Sequence, residues 1–384
     1  MLLTGTGRLA PAAISPWALL ARDGRIAWVG SPGDAPDGER VDLGSALVTP
    51  GLVDSHTHPV FAGDRSDEAA ARLEGAPYTD GGILRTVRAT RAADDAALEG
   101  LVEARLREAL AAGVTTVECK SGYGLSLEEE LRHLRIIGRV AGRLPIRVVR
   151  TFLGAHAVPT EGGAMADYAT HVADDMIPAV AHDGLAEFVD VFTDVGFFDL
   201  AATERIARAA SEAGLGLRLH ADQLQRTGAA ELGARLGAAS VDHLEQLDAS
   251  GVRVLGASAT VATLLPAAAV VLRDRLPPAR SLLDAGAQIA LASDANAGTF
   301  GGFGAMPLVI GLGAALLGMS VTEALTAATS GGAVALRRTD IGALRPGMAA
   351  DLVAWDAEHE GAFVLRLGSV RPSRVWIAGD EIAL

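Results

Sequence analysis

Between residues 49 and 340 the chain alternates short, apolar, strand-like runs with helix-like segments, and it does so eight times. The strand candidates are 52–55, 115–119, 146–152, 188–192, 216–219, 240–243, 260–265 and 288–292; the clearest helical segments between them are 97–111 and 127–139. The spacing leaves room for a crossover after each strand. Eight β/α units predict an α/β fold with a closed parallel sheet, the (β/α)8 or TIM-like barrel. An open doubly wound sheet is the alternative. No Gly-rich phosphate loop follows the first strand, and eight strands favour closure.

The two ends of the chain read differently. Short β-like runs at 18–21, 25–29 and 45–48 are separated by Asp-Gly and Pro-Gly-Asp turns, and the tail repeats the pattern at 350–355 and 374–378. The turn Ala378-Gly379-Asp380 predicts a hairpin. Neither end makes a stable sheet alone. Residues 1–48 and 341–384 are therefore expected to pair into one small β-sandwich domain beside a barrel over 49–340.

Composition narrows the function classes. Hydrophobic residues are 49% of the 384 and aromatics only 4%, so the core is built mostly of Ala, Val and Leu. A net charge of −14 excludes nucleic acid as a partner, because phosphate binding needs clustered Lys and Arg. A small anionic substrate remains compatible, since one buried arginine acts locally. Cys119 is the only cysteine, so no intrachain disulfide forms. Residues 1–10 lack the basic-then-apolar pattern of a signal peptide, and no apolar run is long enough to span a membrane. The expectation is a cytoplasmic protein with no membrane partner. The apolar run 308–317 suits a barrel helix or a homodimer interface, core being the commoner role.

Three strand ends carry metal-ligand chemistry: Val53-Asp54-Ser55-His56-Thr57-His58, Leu217 to His220, and Ala290-Leu291-Ala292-Ser293-Asp294. Two histidines two apart on an extended chain face the same side and can grip one ion. A third histidine and a carboxylate complete a set that leaves a position for water, as in a catalytic metal site. Of nine histidines, five (His56, His58, His156, His220 and His243) lie at or just past a predicted strand end, where barrel active sites are built.

Asp294 could ligate the ion and shuttle a proton, or cap a helix at Ser293-Asp294-Ala295-Asn296. Arg65 is either a solvated loop residue or a fork for a substrate carboxylate. Tyr123, between Gly122 and Gly124, would sit on a tight loop over the barrel mouth. Lys120 could be a carboxylated bridge between two metals, pair with Glu118, or point outward; a single metal is expected. Gln223, three residues past His220, can donate and accept hydrogen bonds but cannot be a general base. Asp222 caps the next helix or reaches the site.

Together these segments resemble the imidazolonepropionases, a family of the amidohydrolase superfamily. The matching text is Thr49-Pro-Gly-Leu-Val-Asp-Ser-His-Thr-His58, Phe61-Ala-Gly-Asp-Arg65, Thr86-Val-Arg-Ala-Thr-Arg91 and Val117-Glu-Cys-Lys-Ser-Gly-Tyr-Gly-Leu125, followed by Leu153-Gly-Ala-His-Ala-Val-Pro159, Leu219-His-Ala-Asp-Gln223, Asp242-His-Leu-Glu245 and Ser293-Asp-Ala-Asn-Ala-Gly-Thr299. The His-x-His opening is shared across the superfamily; Lys-Ser-Gly-Tyr-Gly and Gly-Ala-His are closer to this family. The resemblance implies one zinc or iron ion, divalent or trivalent, held by His56, His58, His220 and Asp294. It implies that Arg65, Tyr123 and His156 hold the propionate and ring of 4-imidazolone-5-propanoate. Gln223, Asn296, Gly298 and Thr299 would contact substrate or product, and His243 would polarise the carbonyl. Water activated at the metal would open the cyclic amide to N-formimidoyl-L-glutamate, with Asp294 moving the proton.

The chain departs from the family in three places. Some relatives carry Glu where Gln223 stands. The text after the last ligand, Asn296-Ala-Gly-Thr-Phe-Gly-Gly302, replaces Asn-Pro-Gly-Ser-Ser. The stretch 78–83 is shorter than in many members. The rival readings are another amidohydrolase, such as a purine or pyrimidine deaminase or a different cyclic-amide hydrolase, and a non-catalytic barrel. Arg65 and Tyr123 argue against the first, and the retained ligands against the second.

Overall fold

The computed structural model describes residues 1–12, 14–75 and 80–383, the side chains of 80 and 81 excepted. The N-terminal segment supplies β1 (Leu2–Gly5), β2 (Trp17–Arg22), β3 (Arg25–Gly30), β4 (Arg40–Asp42) and β5 (Val48–Pro50). The middle supplies β6 (Leu52–Asp54), β7 (Val114–Lys120), β8 (Arg147–Ala155), β9 (Phe188–Thr193), β10 (Gly216–Ala221), β11 (Ser240–His243), β12 (Val261–Leu264) and β13 (Ile289–Leu291). The tail adds β14 (Leu352–Trp355), β15 (Pro372–Ile377) and β16 (Asp380–Ile382).

β6 to β13 form one sheet in chain order, each strand parallel to the next. All eight predicted runs are in it, 240–243 at the predicted bounds and the others with ends shifted by at most three residues. Helices cross between the strands, several opened by an acid or serine predicted by helix-start chemistry. Asp94 caps Asp95–Ala111, Ser126 caps Leu127–Ala141, and Asp199 caps Leu200–Glu212. The run 308–317 falls largely in the helix Met306–Leu316, whose Val309 and Ile310 are fully buried. Among the described residues, no helix is long and apolar enough to cross a membrane.

The two ends meet in two small sheets, ordered β3-β2-β1-β4 and β16-β15-β14-β5. They share one core, in which Leu3, Trp17 and Leu19 of the first sheet pack with Val48, Leu352 and Trp376 of the second. β5 pairs antiparallel with β14, which joins the head of the chain to its tail. The hairpin at Ala378-Gly379 forms as the turn predicted, both residues taking positive φ. Sequence patterning missed β1 and β4, and it placed the third N-terminal run three residues early.

Barrel closure is the feature that builds the site. β6 and β13 are both short and share no ladder; they are tied just beyond their ends. Ser293 donates to both oxygens of Asp54, from its N–H at 3.0 Å and its hydroxyl at 2.6 Å. Asp294 N–H donates to the His56 carbonyl and His58 N–H to the Ala295 carbonyl. From outside, the helical segment 321–335 lies close on this seam because two glycines meet it. A Cβ on Gly331 would stand 2.2 Å from the Ile289 carbonyl, and one on Gly332 2.7 Å from that of Val53.

Asp54 is fully buried, and that burial, against the Ser293 hydrogen bonds, lifts its carboxyl from 3.8 to about 7. The folded state therefore holds this proton to higher pH than the unfolded chain. Its contribution to stability is largest below about pH 4 and declines as pH rises towards 7. Asp54→Asn keeps an acceptor and a donor for Ser293 and removes the buried charge. The variant is expected to flatten the fall in melting temperature between pH 4 and 8, which thermal melts across that range will read; an unchanged slope would rule Asp54 out as its source.

Candidate metal centre and active site

Past the end of β6 the chain stays extended through Ser55 to His58, and period-two alternation puts His56 and His58 on the same side. Their Nε2 atoms lie 3.2 Å apart. β10 brings His220, β11 ends on His243, and Asp294 follows β13 across the seam. The ligand atoms of His56, His58 and His220 lie within 4.8 Å of one another, as do those of His56, His243 and Asp294. Asp294 Oδ1 is 3.5 Å from both His56 Nε2 and His58 Nε2. No helix begins at Asp294, so the capping alternative is excluded. Its left-handed backbone (φ 52) is a conformation that Asp tolerates better than most residues.

Two of these histidines have their outward ring nitrogen tied to a carboxylate. His56 Nδ1 pairs with Asp242 at 2.7 Å, and His220 Nδ1 with Asp190 at 3.1 Å. Carboxylate-backed imidazoles of this kind fix the ring and the tautomer in metal sites. Burial first, then the nearby Lys120 charge, drives His56 well below its ordinary value. Burial and the neighbouring His156 do the same to His58. His56 and His58 are therefore neutral and present lone pairs, the state in which imidazole binds zinc or iron. The donor set fits one ion.

His243 is in the opposite state. Burial works against its charge, but Glu245, 3.6 Å from its Nδ1, with Asp294 and Asp242 beyond, outweighs burial and raises its pKa. It is thus the ring of the cluster best able to donate a proton or hydrogen bond.

The substrate side is a narrow cleft lined by His58, Tyr123, His156, Phe192, Gln223, His243, Asp294, Asn296 and Thr299. The Tyr123 and His156 rings meet at 5.2 Å between centres, tilted by 58°. The Tyr123 loop is organised by Glu130, a buried acid in the helix Leu127–Ala141 that accepts the N–H groups of Gly122, Gly124 and Leu125. His156 Nδ1 meets the Gly122 carbonyl at 2.9 Å. The Asn296 amide oxygen accepts from Gly298 and Thr299 N–H, and its nitrogen donates to the Asp294 carbonyl. The Thr299 hydroxyl donates to Asp294 Oδ2 at 3.0 Å. These two side chains therefore hold the Asp294 turn as well as lining the cleft.

Arg65 is buried, not a solvated loop residue. It lines an adjoining groove that shares Asn296 and Thr299 with the cleft. Its guanidinium passes between Gly82 and Gly298, where a Cβ on either would stand 2.0 Å or 2.2 Å away. It forks onto Glu68 at 2.6 and 2.8 Å. Asp222 is turned from the cleft: it accepts from Thr227, Gly228 and Ala230 N–H and organises the start of the next helix. The backbone at Gln223 bends without forming a helical turn. Residues 78 and 79 of the short stretch lie outside the described residues; from Asp80 the chain is helical.

Sequence reasoning offered Glu118 as a partner of Lys120, and they pair at 2.7 Å, but it missed the rest of the charged layer beneath the histidines: Asp190, Arg218 and Asp242, all fully buried. A signal was present. Each is a charge set among apolar neighbours in an interior strand, as in Phe188-Val-Asp-Val-Phe192, and such a residue must be paired inside the barrel.

The chain matches the amidohydrolase family over residues 47–382. It belongs to that family. It is 46% identical to the imidazolonepropionase of Ralstonia nicotianae, with 91% of this chain and 89% of the relative aligned. It is 48% identical to the imidazolonepropionase of Salinispora tropica, over 88% and 86%. Among solved structures, 5-methylcytosine deaminase from Klebsiella pneumoniae superposes with a TM-score of 0.80 at 17% identity, covering 100% of this chain and 98% of the other. Atrazine chlorohydrolase from Arthrobacter aurescens, complexed with zinc, gives 0.73 at 19%, covering 100% and 95%. Both show the same amidohydrolase fold.

Glu130→Ala leaves three buried N–H groups without their acceptor. It is expected to cost at least about 2 kcal/mol of stability, read by urea unfolding. A loss below about 0.5 kcal/mol would show that the loop does not depend on this acid.

Proposed function

We propose that this chain hydrolyses the ring amide of 4-imidazolone-5-propanoate to N-formimidoyl-L-glutamate, the imidazolonepropionase reaction of histidine degradation. The observation that carries the reading is the three-histidine and aspartate cluster at the barrel mouth, one loop away from a buried arginine fork. A nucleobase deaminase would use the same cluster but has no carboxylate to place on Arg65.

His56, His58, His220 and Asp294 would hold one ion, zinc or iron. Bound there, it would supply a water acidic enough to lose its proton near neutral pH. Asp294 takes that proton on Oδ1 and delivers it to the ring nitrogen as the C–N bond breaks. Thr299 keeps the other oxygen occupied, which aims Oδ1 at the reaction. His243 donates to the carbonyl oxygen as negative charge grows on it. Tyr123 and His156 flank the ring, and Gln223, Asn296, Gly298 and Thr299 shape its edge. The propionate carboxylate competes with Glu68 for the Arg65 fork.

Freshly generated 4-imidazolone-5-propanoate should lose its ultraviolet absorbance in the presence of the protein, with formimidoylglutamate appearing and a chelator stopping the reaction. No turnover by folded, metal-replete protein would overturn the reading. Asp294→Ala should lower kcat by at least about 100-fold. Arg65→Ala should raise KM about 10- to 100-fold with little change in kcat. An unchanged KM would remove the clamp.

A further inference from the structure

Lys120 makes no hydrogen bond or ion pair to the four proposed ligands, yet it joins two of the carboxylates that support them. It is fully buried at the end of β7. Its Nζ is 2.7 Å from Glu118 Oε1 and 2.8 Å from Asp190 Oδ2. Asp190 is the carboxylate behind His220 Nδ1. Glu118 reaches the other side of the site: its Oε2 accepts the N–H of Thr57, the residue between His56 and His58. Thr57 is held twice more on β7, its hydroxyl donating to the Glu118 carbonyl at 2.6 Å and its own carbonyl accepting from Lys120 N–H at 3.0 Å. One ammonium therefore bridges the support of His220 to the support of the His56–His58 pair.

We propose that Lys120 is a positioning residue for a divalent cation, its ammonium holding the Asp190 carboxylate behind His220 and the Glu118 carboxylate behind the His56–His58 turn in a single arrangement. Two carboxylates converge here in a medium that screens them poorly, and without a cation between them they repel. The histidines they orient would then lose their common focus. The same geometry argues against a carboxylated Lys120 bridging two ions. Carboxylation would turn the cation paired with both Glu118 and Asp190 into a third anion beside them, against which Arg218, 3.9 Å from Glu118, would be left as counter-charge.

The inference rests on His56, His58 and His220 being ligands, and the experiment separates the two ideas. The full-length protein is stripped of metal and titrated with zinc against a chromophoric chelator. If the unsubstituted protein takes up no zinc, the ligand assignment itself fails and the inference falls with it. If it does, Lys120→Met should bind zinc about 10- to 100-fold more weakly, the usual cost of losing outer support. Adding Glu118→Gln to Lys120→Met relieves the repulsion while keeping an oxygen for Thr57, and should recover part of that loss. A purely packing role for the lysine stem predicts no such recovery. Zinc affinity of Lys120→Met within twofold of the parent overturns the proposal, whatever the melting temperature; so does a double variant no tighter than the single one. Should Lys120→Met not fold, Glu118→Gln alone decides: weakening of several-fold supports the proposal, and unchanged affinity overturns it.

Discussion

The seam between β6 and β13 is the contact on which the site depends. The strands there are three residues each and share no ladder with one another, and the barrel is tied instead by the Asp54 carboxylate and the backbone beyond it. That arrangement sets His56 and His58 beside Asp294, residues more than 230 positions apart in the chain, at 3.5 Å. An ordinary ladder continued past these residues would place them as cross-strand neighbours along two extended edges. The left-handed turn at Asp294 instead carries its carboxylate to the histidines of the first strand.

Beneath this surface lies a layer of fully buried charge. Glu118, Asp190 and Asp242 meet Lys120 and Arg218, and each carboxylate also accepts from a histidine or from the backbone beside one. Buried ions survive only when paired and hydrogen-bonded. Here each pair also orients a ring above it, so the cost of burying the charge is offset by the fixed direction of the ligands. The apolar strands around the layer exclude water and keep those directions rigid. Cys119, between Glu118 and Lys120, faces away into the core, where burial pushes its thiol well above the usual range and leaves it unreactive.

The substrate side is organised by hydrogen bonds in the same way. Glu130 gathers three N–H groups of the Tyr123 loop, and His156 meets the Gly122 carbonyl of that loop, so that the two rings lie against each other over the cleft. Asn296 and Thr299 fold the final loop around Asp294, which explains why a glycine-rich replacement for the usual text there still gives an ordered turn. Gly298 and Gly82 are needed for another reason: the Arg65 guanidinium occupies the space where their side chains would be.

Much of this is legible in the order of the amino acids alone. Period-two runs separated by capped helical segments specify eight parallel strands, because each run is too short and too apolar to be anything else. Histidines at run ends specify a metal-like face, because strand ends are where a barrel presents side chains to solvent. Turn residues such as Ala378-Gly379 specify their hairpin locally. What the sequence could not carry is pairing across distance. Whether Asp294 caps a helix or faces a histidine, whether Asp222 enters the cleft or organises a loop, and whether Lys120 points out or lies between two acids all depend on which strand end stands beside which. That is set by barrel closure and by the requirement that every buried charge find a partner, and both are properties of the folded whole.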